Sequence, residues 1–419
     1  MFGIHYRRRS RTGLLVCAAL AASLAPTAVQ ARAVTASPPA AVPPTAAVSM
    51  GDSFISGEAG RWKGNSDDAN GGRDGTDRAW TGSGYAPVRV YGSSYADGCD
   101  RSDVAEVRSA PTVARTQINL ACSGATTADI FRAGHGGRSF KGEAPQADQL
   151  AAVAAHYRVR LIALSVSGND IGFSDVITGC VEDYIVFDSY CHAKEQRAVD
   201  AKLPAAMAGV GKAVDEIRAV MAADHYSPGD YRIVLQSYPS PIPRGRENRY
   251  PQSGVSRLDT GGCPFWDADS DWARDRLVPQ LSDSLAAVAA SRHVQFLDLR
   301  DLLQGREVCS TATRQATAAE GPSAVTAEWS RFLDYFYLQG ATQESFHTDY
   351  YAQLALGRCL TLMAARPTGN WSCRNTPGRD ASGVVLVSRT GSAALRPLAR
   401  ESGPAPFRPR LTLPKRLTV

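Results

Sequence analysis

One segment near the start of the chain combines the residue types of a nucleophilic site. Residues 46–50 are mostly apolar and run into Gly51-Asp52-Ser53, where glycine permits a tight turn because it has no Cβ. A serine that follows a buried strand can act as a nucleophile when a base takes its proton. Serine is also a common helix N-cap, so this segment alone leaves both interpretations open.

Three further segments supply the residue types that such a nucleophile needs. Residues 120–127 form a turn of small residues around Gly124, residues 161–170 are an apolar run that ends in Gly-Asn-Asp at Asn169, and His347 precedes a helical pattern. In this order, Ser53, Gly124, Asn169 and His347 resemble the four marker residues of the SGNH (GDSL) hydrolase superfamily. The four blocks extend from about residue 50 to 350.

The resemblance implies a role for each marker residue. His347 would take the proton of Ser53 and later protonate the leaving alcohol. The negative charge that develops on the ester oxygen would be met by the backbone N–H groups of Ser53 and Gly124 and by the side-chain amide of Asn169, which donates without carrying a charge. Without the other blocks, Asn169 would be read as a turn residue. This chemistry requires no cofactor.

The group that orients His347 is open between two alternatives. In the family an aspartate usually stands three residues before the histidine, and here that position holds Glu344. We therefore expect the Glu344 carboxylate to orient the imidazole. Some family members use a backbone carbonyl for this, so the carbonyl of residue 344 is the competing assignment. Asp349 is expected to be a charge at a helix N-terminus.

We expect a serine esterase or lipase that hydrolyses carboxylic esters through an acyl-enzyme, with a small-molecule or lipid ester as substrate. A carbohydrate (acetyl) esterase and an acyltransferase use the same site and stay as alternatives. A non-catalytic binding module is the alternative from another class, because a fold does not by itself confer activity.

The elements that position these residues follow from hydrophobic patterning. Predicted strands and helices alternate along the chain, and this order favours a mainly parallel sheet with helices on both faces. We expect a three-layer α/β/α sandwich, flavodoxin-like, over residues 46–374, with the site at the carboxyl ends of the strands. The predicted strands are 46–50, 115–120, 159–166, 231–236 and 293–299, and the predicted helices are 146–157, 198–223, 271–291 and 349–365.

The N-terminus predicts export. Arginines precede an apolar run at 14–24, and Val29-Gln30-Ala31 forms a small-residue cleavage site, so residues 1–31 are expected to be a secretory signal peptide. The run is too short for a retained transmembrane helix. Residues 32–45 are expected to be a Pro/Ala linker, and the mature protein a secreted monomer with no integral membrane segment.

Charge is unevenly distributed along the chain. The formal net charge is +5, and four arginines belong to residues 1–31. Residues 375–419 contain seven arginines and one lysine against two acids. We expect this basic segment to be a flexible tail, with contact to an acidic polymer or anionic surface as the alternative. No basic patch interleaved with aromatics indicates nucleic-acid binding.

Cysteine usage agrees with an oxidising compartment. Removing Cys17 with the signal peptide leaves eight of the nine cysteines, and counting alone leaves many pairings open. No C-x2-C or H-E-x-x-H pattern occurs, so no metal site is predicted. Secreted relatives with nearest-neighbour bridges favour the first three of the sequential pairs Cys99–Cys122, Cys180–Cys191, Cys263–Cys309 and Cys359–Cys373.

Overall fold

The computed structural model describes residues 42–336 and 338–389. The predicted signal peptide, most of the linker and the basic residues beyond 389 lie outside the described residues. Among the residues that are described, no helix is both long enough and apolar enough to cross a bilayer.

A sheet of seven strands forms the centre of the molecule, in the order β2-β1-β3-β4-β5-β6-β7. All neighbouring pairs are parallel except β6 and β7, which are antiparallel. The strands are β1 Thr45–Gly51, β2 Thr116–Asn119, β3 Arg158–Ser165, β4 Arg232–Gln236, β5 Gln295–Asp298, β6 Trp371–Arg374 and β7 Val385–Ser388.

Helices cover both faces of this sheet, which confirms the predicted three-layer α/β/α fold. The helices are α1 Ser53–Ser56, α2 Val88–Tyr91, α3 Ser94–Asp97, α4 Gln146–Ala154, α5 Phe173–Glu182, α6 His192–Ala223, α7 Ser256–Asp259, α8 Asp267–Trp272, α9 Val278–Ser291 and α10 Tyr350–Ala364. Alternation along β3 explains the layering. Ile162 and Leu164 pack in one core with α4, α6 and α9, and Leu161 and Ala163 pack in the other with α10.

All the predicted strands and helices are present, with differences at their ends. Helix α6 begins at His192, before the predicted residue 198, because the Asp269 carboxylate accepts the backbone N–H groups of Cys191 and His192 at 3.2 and 3.0 Å. The predicted helix 271–291 starts at Asp267 and is interrupted by a π turn at Ala273–Leu277.

The predicted end of the domain at residue 374 is wrong. Strand β7 lies within the segment expected to be a tail, and its four residues pair with β6. Residues 384–387 are Val-Val-Leu-Val, an apolar and mostly β-branched run that favours a strand, so the basic composition of residues 375–419 was a misleading guide here.

Candidate active site

Ser53 lies where β1 ends and α1 begins. Gly51 has a φ of +135°, and a Cβ built on it would lie 1.8 Å from the carbonyl oxygen of Ser165, so no other residue fits this turn. Asp52 is the N-cap of α1 and accepts the backbone N–H of Phe54 at 3.2 Å. This turn presents the Ser53 side chain at the carboxyl edge of the sheet, as predicted.

His347 reaches Ser53 from the loop before α10. The Ser53 hydroxyl donates to Nε2 of His347 at 2.6 Å, across 294 residues of sequence. Phe346 has a φ of +62°, a conformation that non-glycine residues rarely adopt, and this sharp turn directs the imidazole toward the serine. Burial lowers the pKa of His347 to about 4, so the ring is neutral near pH 7 and Nε2 can accept a proton.

The Glu344 carboxylate does not contact His347, so its predicted orienting role is wrong. It accepts hydrogen bonds from Nε1 of Trp62 at 2.9 Å and from the hydroxyl of Tyr91 at 2.6 Å. Residues Thr342–Glu344 form a 3-10 turn. The Trp62 and Tyr91 donors come from distant loops, and they hold the Glu344 carboxylate away from the imidazole of His347.

A backbone carbonyl contacts the imidazole of His347, as the competing assignment expected, but it belongs to Ser345 and not to residue 344. Nδ1 of His347 donates to the carbonyl of Ser345 at 3.2 Å, whereas the carbonyl of Glu344 accepts the backbone N–H of His347. Donation from Nδ1 fixes the tautomer in which Nε2 is free to act as the base.

The predicted oxyanion donors lie around the same carboxyl edge of the sheet as Ser53. Within the described part of the chain, neither the Ser53 nor the Gly124 backbone N–H makes a hydrogen bond, so both are free to donate to a ligand. Gly124 has a φ of +84°. One hydrogen of the Asn169 amide is held by the carbonyl of Ala125 at 2.9 Å, which leaves the second hydrogen available. The oxyanion role itself remains a prediction.

Hydrogen bonds that the motifs did not indicate connect these blocks. The Tyr238 hydroxyl donates to the Asp52 carboxyl at 2.5 Å and accepts the backbone N–H of Gly168 at 3.1 Å. Asp170 accepts the hydroxyl of Thr127 at 2.6 Å, which joins the asparagine block to the glycine block. Their partners are remote in sequence, so no local pattern could reveal these contacts.

Buried acids also lie close to the site. Burial raises the pKa of Asp52 to about 7 and holds the pKa of Glu58 well above its usual range. The Glu58 carboxylate lies 3.7 Å from Nε2 of His347 and was missed from the sequence. Its position in the segment that also contains Ser53 was the one signal that could have pointed to it.

A cavity of about 680 Å³ opens over Ser53, Asn169 and His347. Its volume is in the range of small-molecule sites, and apolar side chains form much of its wall. They include Phe54, Phe173, Ile177, Val181, Leu333 and Phe346.

Four disulfides are present, of which the first three are the pairs that the resemblance favoured: Cys99–Cys122, Cys180–Cys191, Cys263–Cys309 and Cys359–Cys373. The first one ties the loop that carries Gly124 to the segment after α3. In addition, the backbone N–H of Ser123 donates to the carbonyl of Cys99, so a hydrogen bond joins the same two segments as the disulfide.

Comparison with known proteins gives a family match. A family model described as GDSL-like lipase/acylhydrolase matches residues 90–313, a range that includes Gly124 and Asn169 and excludes Ser53 and His347. No curated protein matches the chain.

Several solved structures are similar in fold. An extracellular lipase from Streptomyces rimosus is 21% identical, with 77% of this chain and 100% of that chain covered and a TM-score of 0.46. A phospholipase A1 from Streptomyces albidoflavus NA297 is 18% identical, with 78% and 100% covered and a TM-score of 0.47. A carbohydrate acetylesterase from Sinorhizobium meliloti is 13% identical, with 66% and 92% covered and a TM-score of 0.28.

Proposed function

The chain belongs to the GDSL-like lipase/acylhydrolase family, and from this premise we propose that it is a secreted serine esterase that hydrolyses carboxylic esters through an acyl-enzyme. The observation that carries the proposal is the 2.6 Å contact between the Ser53 hydroxyl and a neutral His347. A nucleophile and a base within hydrogen-bond reach, with the base oriented by a third group, is the arrangement that such catalysis needs.

In the acylation step, the Ser53 proton moves to Nε2 of His347 while Oγ attacks the ester carbonyl carbon. The carbonyl oxygen becomes an oxyanion and receives hydrogen bonds from the Ser53 and Gly124 N–H groups and the Asn169 amide. Collapse of this intermediate breaks the bond to the alcohol oxygen, which takes the proton from Nε2. Water then repeats the sequence on the acyl-enzyme, releases the acid and restores Ser53.

The apolar wall of the 680 Å³ cavity favours esters of medium or long acyl chains. Burying a methylene group contributes about 0.8 kcal/mol, so each added pair of carbons should improve kcat/KM until the cavity is filled. The four disulfides support secretion, because such bridges persist in oxidising compartments. We propose a monomer with a small-molecule or lipid ester as substrate.

A second cavity favours carbohydrate esters as the second candidate. It has a volume of about 490 Å³ and shares Gln343 with the first cavity. The exposed rings of Tyr85 and Tyr95 on its wall are suited to stacking on a sugar, and the exposed amide of Gln343 is suited to bonding its hydroxyls. In this scheme a short acyl group would occupy the first cavity and the sugar the second.

A substrate series separates the two candidates. We expect kcat/KM for p-nitrophenyl esters to rise from acetate toward the longer acyl chains if the enzyme is of the lipase type. The Val181→Trp variant, which fills the first cavity, should then lose activity on the long esters and keep it on acetate. Val387→Trp is the matched control, because its side chain is exposed on β7 away from the cavity wall.

For a carbohydrate esterase, acetylated oligosaccharides would be hydrolysed faster than any p-nitrophenyl ester. The Tyr95→Ala variant would then raise KM for the saccharide and leave p-nitrophenyl acetate hydrolysis unchanged. If neither series is hydrolysed by the wild-type protein, the proposed function is wrong.

A further inference from the structure

Glu58 is a buried acid that the reaction sequence above does not use. It follows Ser53 by five residues, at the turn that ends α1, and its exposed fraction is 1%. Its backbone N–H donates to the carbonyl of Ser53 and to the hydroxyl of Ser56, both at 3.3 Å. The backbone of Glu58 is therefore fixed relative to the nucleophile.

The side chain of Glu58 points at the catalytic pair. Its Oε2 accepts the Ser123 hydroxyl at 2.5 Å, in the loop that carries Gly124, and lies 3.7 Å from Nε2 of His347. Its Oε1 is buried and has no hydrogen-bond partner among the described residues. A buried carboxyl oxygen without a partner costs free energy, so a purely structural acid would be expected to satisfy both oxygens.

The base in this site lacks the usual counter-charge. When His347 takes the Ser53 proton it becomes an imidazolium in a buried position, and on its Nδ1 side it meets the neutral carbonyl of Ser345. The Glu344 carboxylate, which would supply a negative charge on that side, is held by Trp62 and Tyr91. A negative charge elsewhere near the ring would therefore lower the barrier of the step that creates the imidazolium.

We propose that Glu58 supplies this charge, and that its carboxylate stabilises the imidazolium of His347 from the Nε2 side during acylation and deacylation. The inference rests on the proposed function, since it assumes that His347 is the base. In the resting enzyme the Ser53 hydroxyl occupies Nε2. Once its proton has moved to Nε2, the carboxylate at 3.7 Å attracts the new positive charge without competing for the proton of the neutral ring.

This role makes the rate depend on the ionisation of Glu58. Burial, together with the nearby acids Asp100 and Glu344, raises the pKa of Glu58 well above 4.5, while Lys141 opposes this shift. The buried Tyr91 hydroxyl also faces this group, and it is neutral in the working range. At low pH Glu58 is protonated and gives no stabilisation. As pH rises through its pKa the proton leaves to solvent, and kcat increases.

The direct test is the Glu58→Gln variant, which keeps the shape and removes the charge. Opposite charges about 4 Å apart in a site of intermediate polarity correspond to roughly 10²- to 10³-fold in rate. We expect kcat for p-nitrophenyl butyrate to fall by about that factor at alkaline pH, with KM changed little, and the step in kcat that the ionisation of Glu58 causes to disappear. Glu106→Gln is the matched control, because Glu106 is equally buried, bonds Gln236 and does not contact His347.

A spectroscopic titration of the wild-type protein does not depend on folding of the variant. In wild-type protein labelled with 15N-histidine, the Nε2 shift of His347 should report two steps, its own protonation and the ionisation of Glu58. In the phosphonate adduct of Ser53, Glu58→Gln should lower the pKa of His347 by about two to three pH units, the equivalent of the expected 10²- to 10³-fold change in rate.

A Glu58→Gln enzyme with wild-type kcat and an unchanged pH profile would overturn the inference, as would a single step in the wild-type titration. A wild-type protein that hydrolyses no ester would instead refute the proposed function, so the two failures are distinguishable.

Discussion

Replacing Glu344 by glutamine tests which group orients the base. The structure places its carboxylate against the Trp62 indole and the Tyr91 hydroxyl, and the Ser345 carbonyl against Nδ1 of His347. Because the variant leaves the backbone unchanged, we expect kcat for p-nitrophenyl butyrate to stay within about tenfold of wild type, or about 1.4 kcal/mol in the barrier.

The same substitution should act mainly on stability. Glutamine can still accept from the Trp62 N–H, and its amide can donate to the Tyr91 oxygen, so both hydrogen bonds survive as neutral ones. Hydrogen bonds to a charged group contribute about 1.5–3 kcal/mol and neutral ones about 0.5–1.5 kcal/mol. We expect a loss of about 1–3 kcal/mol in the free energy of unfolding, measured by denaturant titration.

The Glu344→Ala variant is the companion control. It leaves the Trp62 and Tyr91 donors unpaired in a buried place and should cost more stability than Glu344→Gln, again with the backbone orienting His347. The rate should be measured across pH, since removing a negative charge near Glu58 shifts the ionisation of that group. If folded Glu344→Gln lost about 10⁴ in kcat, as carboxylate-to-amide changes do in Ser-His-Asp sites, the assignment to the Ser345 carbonyl would be refuted.

Three further outcomes follow from the site. Asn169→Ala should lower kcat by about 10²–10³ with little change in KM, and a change in KM alone would show that this residue binds substrate instead. Tyr238→Phe removes a partner from the Asp52 carboxyl and from a buried N–H, so unfolding experiments should show a loss of about 2–4 kcal/mol, and wild-type stability would disprove the bridge. The Glu58→Gln variant has no titrating group at residue 58, so as the pH is lowered its kcat/KM should fall through a single step at about pH 4, the pKa of His347. A step near pH 6.5 would show that the base is not desolvated.

The sheet was predictable because its strands are buried on both faces. A run such as residues 161–164 is apolar at every position, and the structure divides these residues between two cores. The edge strand β7 and the ends of the helices were less predictable. Helix α6 starts early because Asp269, far along the chain, caps it, and β7 lies at an edge with a half-exposed, short segment. Local sequence does not show the cap of α6, whereas the apolar run at residues 384–387 is a local strand signal for β7.

The candidate site was predictable where its residues sit in compact motifs and not where contacts come from remote loops. Spacing alone placed an acid three residues before His347, but the direction of the Glu344 side chain depends on Trp62 and Tyr91, more than 250 residues earlier. Glu58 shows the opposite case. It lies in the same segment as Ser53, yet its role appears only when the fold brings His347 to it.

Labelling of Ser53 by a fluorophosphonate is the most direct test of the central claim. We expect peptide mass spectrometry of the wild-type protein to find the phosphonyl group on Ser53, with complete loss of ester hydrolysis. The Ser53→Ala variant should fold, take no label and retain only about 10³–10⁴ over the uncatalysed rate, while His347→Ala should label far more slowly. Wild-type turnover by folded Ser53→Ala, or a label on another residue, would contradict the account.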